Sequence, residues 1–184
     1  MFPDVPPANE FHQQIISLAA AGVVSGYSDG LFHPEDLVTR AQFAKIIVLA
    51  LGRHTAAIDN ASTPTFTDVP YTGSDYPYDF VEEAAGLGII QGYGNGTFGP
   101  QATVSRAQLA LMLVRAGGDR LDMPPASYAC PFTDVPTYAW EAVRVARYNN
   151  LLSGKTATKF DPYSSATRGH VAKMVYGLTQ VLVP

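Results

Sequence analysis

Thr39-Arg40-Ala41-Gln42 opens a strongly apolar segment, and the same four-residue pattern occurs twice more in the chain. The second copy is Ser105-Arg106-Ala107-Gln108, and a more divergent third copy is Thr167-Arg168-Gly169-His170. The spacing is 66 residues from Arg40 to Arg106 and 62 residues from Arg106 to Arg168. A pattern that recurs at a nearly fixed period indicates an internal repeat, in which each copy forms one structural unit.

Two further motifs recur in the same order and extend each repeat toward its N-terminal side. The first is a Phe-x-Asp-Val-Pro motif, which occurs at 2–6, 66–70 and 132–136. The second is a glycine-rich turn motif, Gly26-Tyr27-Ser28-Asp29-Gly30-Leu31-Phe32-His33-Pro34, with a close copy at 92–100 and an eroded copy at 154–162. Three ordered motifs in three copies exceed what composition or chance produces.

Each repeat is predicted to form a helix, a turn and a second helix. Phe11, Ile15 and Leu18 recur at helical spacing, which predicts the apolar face of a first helix. Gly22 follows this face in the position of a C-capping glycine, and Gly88 does so in repeat two. The apolar positions of the other first helices are Phe80, Val81, Ala84 and Leu87 in repeat two and Trp140, Val143 and Ala146 in repeat three.

The second helices are predicted to begin at Thr39, Ser105 and Thr167. A Ser or Thr followed three residues later by Gln forms a capping box, but repeat three has His170 at the Gln position, which makes its reciprocal cap doubtful. The segments that follow are apolar on most faces. Such helices must be buried on most faces, so we expect the three second helices to form a shared centre with the first helices outside.

The composition favours a folded protein and argues against several classes of function. Of 184 residues, 47% are hydrophobic, and 12 Lys and Arg against 16 Asp and Glu give a net charge of −4. This charge argues against a nucleic-acid-binding protein, which normally carries a basic field. The single Cys130 excludes an internal disulfide and a multi-cysteine metal site, and no apolar stretch approaches the roughly 18 residues of a membrane span.

We expect one domain over residues 1–184, because about 40 residues of helical hairpin cannot bury their own apolar faces. Its predicted repeats are 1–52, 66–117 and 132–184, with linkers at 53–65 and 118–131. The first seven residues lack the basic and apolar regions of a signal peptide. The chain is therefore expected to be either cytoplasmic or a mature piece cut from a longer exported protein.

Together, the Phe-x-Asp-Val motif, the glycine-rich turn and Thr-Arg-Ala-Gln make the chain resemble the S-layer homology repeat, in the triplet that is usual for the family. The family motif ends in Glu, where this chain has Gln42, Gln108 and His170. The resemblance implies an all-α fold, with three helix-turn-helix repeats in a pseudo-threefold arrangement around a central three-helix bundle. It also implies a bacterial cell-wall anchor whose inter-repeat grooves bind a secondary cell-wall polysaccharide, often one with ketal-linked pyruvate on N-acetylmannosamine.

The residues themselves fit a sugar that carries a carboxylate. Arg40, Arg106 and Arg168 each stand in the first turn of a second helix, where free N–H groups and the helix dipole attract an anion. A guanidinium adds a planar fork that matches a carboxylate, although a cation at this end is unfavourable to the helix itself. The structural alternative is that the arginines pair within the fold with carboxylates, of which the candidates are Asp4, Asp68 and Asp134.

Aromatic and polar side chains complete the predicted ligand-binding site. Aromatic rings cover the C–H faces of sugars, and the candidate platforms are Tyr27, Tyr93, Trp140, Phe11, Tyr78 and Phe80. For the helical positions among these, namely Phe11, Phe80 and Trp140, a place in the core is the competing interpretation. Gln42 and Gln108 are predicted polar contacts. Either close approach of a ligand or turn geometry alone accounts for Gly26, Gly92 and Gly154.

No local cluster of nucleophilic, acid–base or metal-ligating residues emerges, so neither a catalytic site, a metal nor a cofactor is predicted. We therefore predict a non-catalytic carbohydrate-binding anchor on the cell surface, fused to a larger exported protein. The alternative is a structural module that binds a protein partner or assembles into a surface lattice through its outer helices. Because repeat three departs from the pattern, the grooves are expected to differ in affinity.

Overall fold

The computed structural model describes residues 2–53 and 63–182, and it places six α-helices in them. Their bounds are α1 His12–Ala20, α2 Arg40–Ala50, α3 Tyr78–Gly86, α4 Arg106–Gly117, α5 Thr137–Tyr148 and α6 Arg168–Leu182. A 3-10 helix at Gly118–Arg120 continues from α4, and the described residues contain no β-strand. The predicted all-α fold is therefore confirmed. Most of the predicted linker 53–65 and the last two residues of repeat three lie outside the described residues.

Two residues after each first helix, the backbone adopts the left-handed conformation. Gly22 has a φ of 72° and Gly88 a φ of 70°, and repeat three uses Asn150, with a φ of 57°, at the same position. The N–H of Val23 donates to the carbonyl of Leu18 at 2.8 Å, which is the closing bond of a Schellman motif. The predicted C-capping glycines are thus confirmed, and Asn takes their role in repeat three.

The second helices begin at the predicted caps. Around Thr39 and Ser105 the full capping box forms: the hydroxyl accepts the N–H of the Gln three residues later, and the Gln side chain accepts the N–H of the cap. In repeat three, the N–H of His170 donates to the hydroxyl of Thr167 at 3.4 Å, and the His170 ring bonds that same hydroxyl at 2.8 Å. The His side chain therefore bonds the cap hydroxyl, where Gln bonds the cap N–H.

The second helices are buried along most of their length, as their apolar sequence predicted. The side chains without exposed surface include Phe43 and Ile47 of α2, Leu109 and Leu113 of α4, and Val171, Val175 and Leu178 of α6. The first helices contribute one buried face each, represented by Ile15, Val81 and Val143. The core is therefore built from both helices of every repeat.

The helices pack in a closed cycle of neighbours. Helix α2 packs against α3 of the next repeat, α4 packs against α5, and α6 returns to pack against α1. Helix α6 also contacts both α2 and α4. Each repeat therefore borders both others, while the pseudo-threefold arrangement about a central three-helix bundle stays a prediction.

A ring of three backbone hydrogen bonds joins the repeats just before their second helices. The N–H of Val104 donates to the carbonyl of Val38 at 2.9 Å, Val38 donates to Ala166 at 3.1 Å, and Ala166 donates back to Val104 at 2.8 Å. All three residues come from different repeats and are fully buried. The ring holds the N-terminal ends of α2, α4 and α6 beside one another.

Gly169 accounts for part of the divergence of the third Thr-Arg-Ala-Gln copy. A Cβ atom at Gly169 would overlap the ring of Phe11, which caps the start of α1 and is buried. The other second helices carry Ala41 and Ala107 at this position. The missing methyl group in α6 therefore makes room for the large side chain that α1 presents, and Phe11 belongs to the core.

Candidate functional site

The aspartates of the Phe-x-Asp-Val motif organise the turn of their own repeat. Asp4 accepts the N–H groups of Phe32 at 2.9 Å and His33 at 2.6 Å. The same pair of backbone bonds occurs at Asp68 and Asp134. Burial opposes ionisation of these carboxyls, but the backbone donors outweigh it, so the pKa of each lies below its ordinary value. The aspartates thus hold the turns in place.

The glycine that opens each turn is required by a phenylalanine of the same repeat. A Cβ atom at Gly26 would stand 2.6 Å from the Phe2 ring and 2.7 Å from the carbonyl oxygen of Leu31. Gly92 meets Phe66 and Gly154 meets Phe132 in the same way. The packing of the ring over the turn therefore suffices to explain these glycines.

The three arginines reach from one repeat into the turn of the next. Arg40 donates from Nε to the carbonyl of Phe98 and from Nη2 to the carbonyl of Gln91, both at 2.7 Å. The equivalent bonds of Arg106, at 2.9 and 2.8 Å, go to Phe160 and Ser153, and those of Arg168, both at 2.8 Å, go to Phe32 and Ser25. The arginines therefore link repeat one to two, two to three, and three back to one.

The backbone N–H groups at the start of each second helix are already bonded, so the prediction of free donors there is wrong. The N–H groups of Arg40 and Ala41 donate to the carbonyls of Ala102 and Pro100, at 2.9 and 3.0 Å. Carbonyls of the neighbouring repeat take the equivalent N–H groups of α4 and α6 as well. An anion at these sites must therefore be bound by side chains, above all by the guanidinium groups.

The alternative of arginine–aspartate ion pairs is not what the fold uses either. Within residues 2–53 and 63–182, no ion pair joins Arg40, Arg106 or Arg168 to a carboxylate. Instead, their guanidinium groups lie over aromatic rings of the neighbouring turn, at 4.4 Å from the Phe98 centroid for Arg40 and 4.3 Å from Phe32 for Arg168. The arginines are therefore positioned by carbonyls and rings, and the aspartates that attract them electrostatically, such as Asp68 near Arg40, form no ion pair with them.

Burial differs among the three arginines. Arg40 is 5% exposed and Arg168 is 8% exposed, whereas Arg106 is half-buried. Desolvation lowers the pKa of all three, yet guanidinium groups remain protonated in proteins. Each site therefore holds one permanent positive charge partly withdrawn from water, where its attraction for an anion is stronger than in bulk solvent.

Each arginine lines a groove between repeats. Groove one, of about 260 Å³, is lined by Arg168, Tyr27, Gln42, Lys45 and Tyr76 together with Ser25, Gly26 and apolar neighbours. Groove two, of about 230 Å³, includes Arg40, Gly92, Tyr93, Gln108, Arg115 and Tyr138. Groove three, of about 190 Å³, includes Arg106, Arg147, Asn150, Ser153, His170 and Lys173. The predicted arginines, glutamines, tyrosines and turns therefore come together in pairs of adjacent repeats.

The capping boxes orient the two glutamines. The Oε1 atom of Gln42 accepts the N–H of Thr39 at 2.9 Å, and that of Gln108 accepts the N–H of Ser105 at 3.0 Å. Because a backbone N–H can bond only the oxygen of the amide, the Nε2 group of each remains as a donor. Both glutamines line their grooves, so they present hydrogen-bond donors there.

Two tyrosines are placed as expected, whereas the other four aromatic candidates, including Phe11, line none of the three grooves. Tyr27 and Tyr93 are 41% and 46% exposed and line grooves one and two. Tyr78 is 1% exposed, so it is a core residue and cannot cover a sugar. Phe80 is half-buried against the core, and Trp140, at 37% exposed, lines none of the three grooves and is not part of the core.

Several groove residues were missed by the sequence reasoning. Lys45 and Lys173 stand three residues after Gln42 and His170, and residues at this spacing share a helix face. That spacing could have predicted that both lysines lie beside the predicted groove residues. Tyr76, in contrast, enters groove one from the following repeat, and its ring lies 5.6 Å from Nζ of Lys45. No local pattern predicts such a contact.

The grooves collect positive charge from a chain that is negative overall. Seven of the 12 Lys and Arg residues line them, and no Asp or Glu among residues 2–53 and 63–182 does. The seven are Lys45 and Arg168 in groove one, Arg40 and Arg115 in groove two, and Arg106, Arg147 and Lys173 in groove three. This distribution suits anionic ligands, although the net charge of the chain is −4.

Among residues 2–53 and 63–182, no group of three or more His, Cys, Asp or Glu side chains is placed to hold a metal ion. No helix in the same ranges has the length and apolar character needed to cross a bilayer.

Comparison with known proteins points to one family and to surface proteins. The family model described as S-layer homology domain matches residues 2–44, 65–110 and 131–172. The chain is 30% identical over 179 residues to an endoglucanase of Bacillus sp. (strain KSM-635), covering 95% of this chain and 18% of that protein. It is 29% identical over 166 residues to the middle cell wall protein of Brevibacillus brevis, covering 90% and 14%. It is also 29% identical over 177 residues to an S-layer protein of Bacillus thuringiensis subsp. finitimus, covering 95% and 21%. The chain thus spans about a fifth or less of these relatives.

Proposed function

The chain belongs to the S-layer homology domain family, and from that premise we propose that it is a non-catalytic module that holds a larger protein on the bacterial cell wall. The proposed ligand is a secondary cell-wall polysaccharide, bound through a sugar that carries a carboxylate, such as ketal-linked pyruvate on an amino sugar. Grooves one and two are the proposed sites for this sugar.

The observation that carries the proposal is the charge of the grooves. Of the residues that the structure describes, seven cationic side chains and no carboxylate line three cavities of a protein whose net charge is −4. Three of these cations are arginines in equivalent positions, and none of the three forms an ion pair within the described residues. Partly buried cations without a carboxylate in direct contact favour an anionic partner from outside the fold.

The chemistry of grooves one and two fits a sugar ring as well as its carboxylate. In groove one, Arg168 and Lys45 supply positive charge, Gln42 supplies an amide donor, and Tyr27 and Tyr76 supply aromatic faces. Groove two repeats this set with Arg40, Arg115, Gln108, Tyr93 and Tyr138. Tyrosine offers an apolar face for C–H groups and a hydroxyl for polar contacts.

The relatives support a location at the cell surface and fusion to a larger protein. Two of them are named for the cell wall and the S-layer, and the chain spans only 14% and 21% of their lengths. Grooves on one rigid unit would raise avidity for a repeating polymer through effective concentration.

A calorimetric titration with a defined pyruvylated amino sugar tests the proposal, using the same sugar without pyruvate as the comparison ligand. We expect binding to be lost when pyruvate is removed. Tyr27→Ala should weaken sugar binding in groove one by about fivefold, since stacking by one aromatic ring contributes on the order of 1 kcal/mol. Lys155→Ala, at the equivalent position of repeat three, is the matched control and should leave the sugar affinity unchanged. Equal binding with and without pyruvate would refute the proposal.

A second candidate function, self-assembly through the outer surface, is favoured by exposed apolar side chains. Tyr138, Trp140, Tyr163 and Met123 are each more than a third exposed. Sedimentation velocity without polysaccharide separates the two functions: assembly that grows with protein concentration and ignores the pyruvylated sugar supports this candidate instead.

A further inference from the structure

Groove three differs from grooves one and two in the chemistry of its lining. We propose that it is a separate anion site, which binds a phosphate group and not a pyruvylated sugar ring. This inference goes beyond the proposed function, because it concerns a different ligand class and holds whether or not grooves one and two bind the sugar.

The first argument is the loss of the aromatic platforms. Among the described residues, no Tyr, Phe or Trp lines groove three, whereas two tyrosines line each of the other grooves. The position of Tyr27 and Tyr93 is Lys155 in repeat three, and its ammonium group pairs with Asp161 at 2.9 Å. The cavity is also smaller, at about 190 Å³ against about 260 and 230 Å³. Groove three therefore lacks the aromatic faces that the other grooves offer to a sugar ring, and it is the smallest of the three grooves.

The second argument is that the substitutions of repeat three converge on this cavity and share one chemical direction. Where repeats one and two have Ala19 and Ala85 in the first helix, repeat three has Arg147. His170 replaces the capping Gln, and Asn150 replaces the C-capping Gly. All three replacements line groove three. Arg147 adds a cation, His170 adds a titratable ring, and Asn150 adds an amide donor.

The third argument is electrostatic. Arg106, Arg147, Lys173 and His170 line one cavity, and within the described residues neither Arg147 nor Lys173 forms an ion pair. Burial lowers the pKa of His170, and Arg106 and Lys173 lower it further, while Glu10 and Glu35 act in the opposite direction. The cavity therefore carries mutual repulsion that an anion would relieve.

Phosphate is the anion that best matches this set of donors. It carries a charge between −1 and −2 near neutral pH and presents several acceptor oxygens in a tetrahedral arrangement. Arginine binds such oxygens in bidentate fashion, and lysine binds them as a point charge. Three permanent cations with a histidine and an amide beside them exceed the needs of a single carboxylate. The phosphate group could belong to inorganic phosphate or to a phosphodiester polymer of the wall.

His170 provides a probe inside the cavity. Its ring proton resonance, assigned with the His170→Gln variant, is followed by NMR across pH in sodium chloride and in sodium phosphate at equal ionic strength. A bound phosphate stabilises the imidazolium form, so we expect the pKa of His170 to rise with phosphate in a saturable way. His33, which pairs with Asp29 outside groove three, is the internal reference and should not respond.

Charge-removing variants locate the site. Arg147→Gln and Lys173→Gln should each weaken the phosphate response by about tenfold, as expected for the loss of one charge-assisted hydrogen bond. Lys159→Gln is the matched control, since Lys159 is exposed, belongs to the same repeat and lines none of the three grooves. Lys173 is also exposed, so Lys173→Gln should not disturb folding. This variant therefore tests the site even if Arg147→Gln fails to fold.

The outcomes are distinct. A rise in the pKa of His170 with phosphate that both groove variants weaken supports the site. A glycerol phosphate polymer that produces the same rise identifies the polymer as the source, and a response to inorganic phosphate alone identifies the free ion. No rise with phosphate, a rise unaffected by both variants, or saturation of His170 by the pyruvylated sugar at lower concentration than by phosphate would overturn the inference.

Discussion

Grooves one and three share one backbone framework and differ in a few side chains. In both, an aspartate bonds two turn N–H groups, a glycine lies under a phenylalanine ring, and an arginine from the preceding repeat in the cycle bonds two turn carbonyls. The side chains that differ are Tyr27, Ala19, Gly22 and Gln42 in repeat one against Lys155, Arg147, Asn150 and His170 in repeat three. The comparison teaches that the framework is maintained by backbone acceptors and donors, which leaves the lining free to change.

The largest expected effect comes from removing a buried arginine of the shared framework. Arg168→Ala should lower the free energy of unfolding by about 3 kcal/mol, because it leaves the carbonyls of Phe32 and Ser25 without their charged donor. Arg106→Ala should cost less, about 2 kcal/mol, since Arg106 is more exposed. Urea unfolding measures both. A larger loss for Arg106→Ala would contradict the view that burial sets the cost.

The next effect concerns the fit between the first and last helices. Gly169→Ala should destabilise the fold by about 2 kcal/mol, because the added methyl group meets the buried Phe11 ring. Ala107→Gly, at the equivalent position of α4, is the reference for the helix propensity of the exchange and should cost about 1 kcal/mol. Thermal unfolding checks both, and a neutral Gly169→Ala would mean that the small residue is not needed for Phe11.

Unfolding at acid pH tests whether Asp4 and Asp134 stabilise the frameworks of repeats one and three to the same extent. The folded-state pKa of Asp4 and of Asp134 lies below the ordinary 3.8, since backbone donors outweigh the opposing effect of burial. A pKa that is lower in the folded than in the unfolded state gives stability that is present above pH 4 and is lost as the pH falls through the folded pKa. Asp4→Asn and Asp134→Asn should each lower stability at pH 7 and flatten its decline in acid, to the same extent. Unfolding curves between pH 2 and pH 7 measure this, and unequal slopes would show that the frameworks differ.

The smallest effect sharpens the difference between the linings. Asn150→Gly restores the residue found at Gly22 and Gly88, and it should raise the free energy of unfolding by about 0.5 kcal/mol, because Gly adopts the left-handed conformation more readily than Asn. Replicate chemical denaturation curves of the two proteins detect a change of this size. A loss of stability would indicate that the Asn side chain makes a stabilising contact in groove three.

Local features of the fold could be predicted because they depend on residues within a few positions of one another. The capping boxes at Thr39 and Ser105, the glycine caps at Gly22 and Gly88 and the apolar second helices all fall in this class. Recurrence in triplicate then strengthened each prediction. Helical spacing alone was not sufficient for Trp140, for which it suggested a position in the core or in a groove. The residue lies in neither place.

Several residues of the candidate site could be predicted from local patterns, but their arrangement could not, because it depends on contacts between repeats. Arg40, Tyr93 and Gln108 could be selected one by one, but their meeting in groove two depends on a contact between repeats. The sequence also suggested that helix N-termini would bind the anion directly, and the neighbouring repeat occupies those N–H groups instead. Local reasoning cannot detect a carbonyl that arrives from about 60 residues away.

By itself, the sequence determined the three repeats, the type and ends of most helices, and the family to which the chain belongs, because these follow from short-range patterns of polarity, capping and turn residues. Only the tertiary structure decided which residues the recurring motif residues contact. Arg168 bonds a turn 136 residues earlier in the chain, at Phe32, and Gly169 accommodates Phe11 across the junction of the last and first repeats. Such pairings arise from the closing of the cycle, in which each repeat supplies the arginine and the helix ends that complete its neighbour.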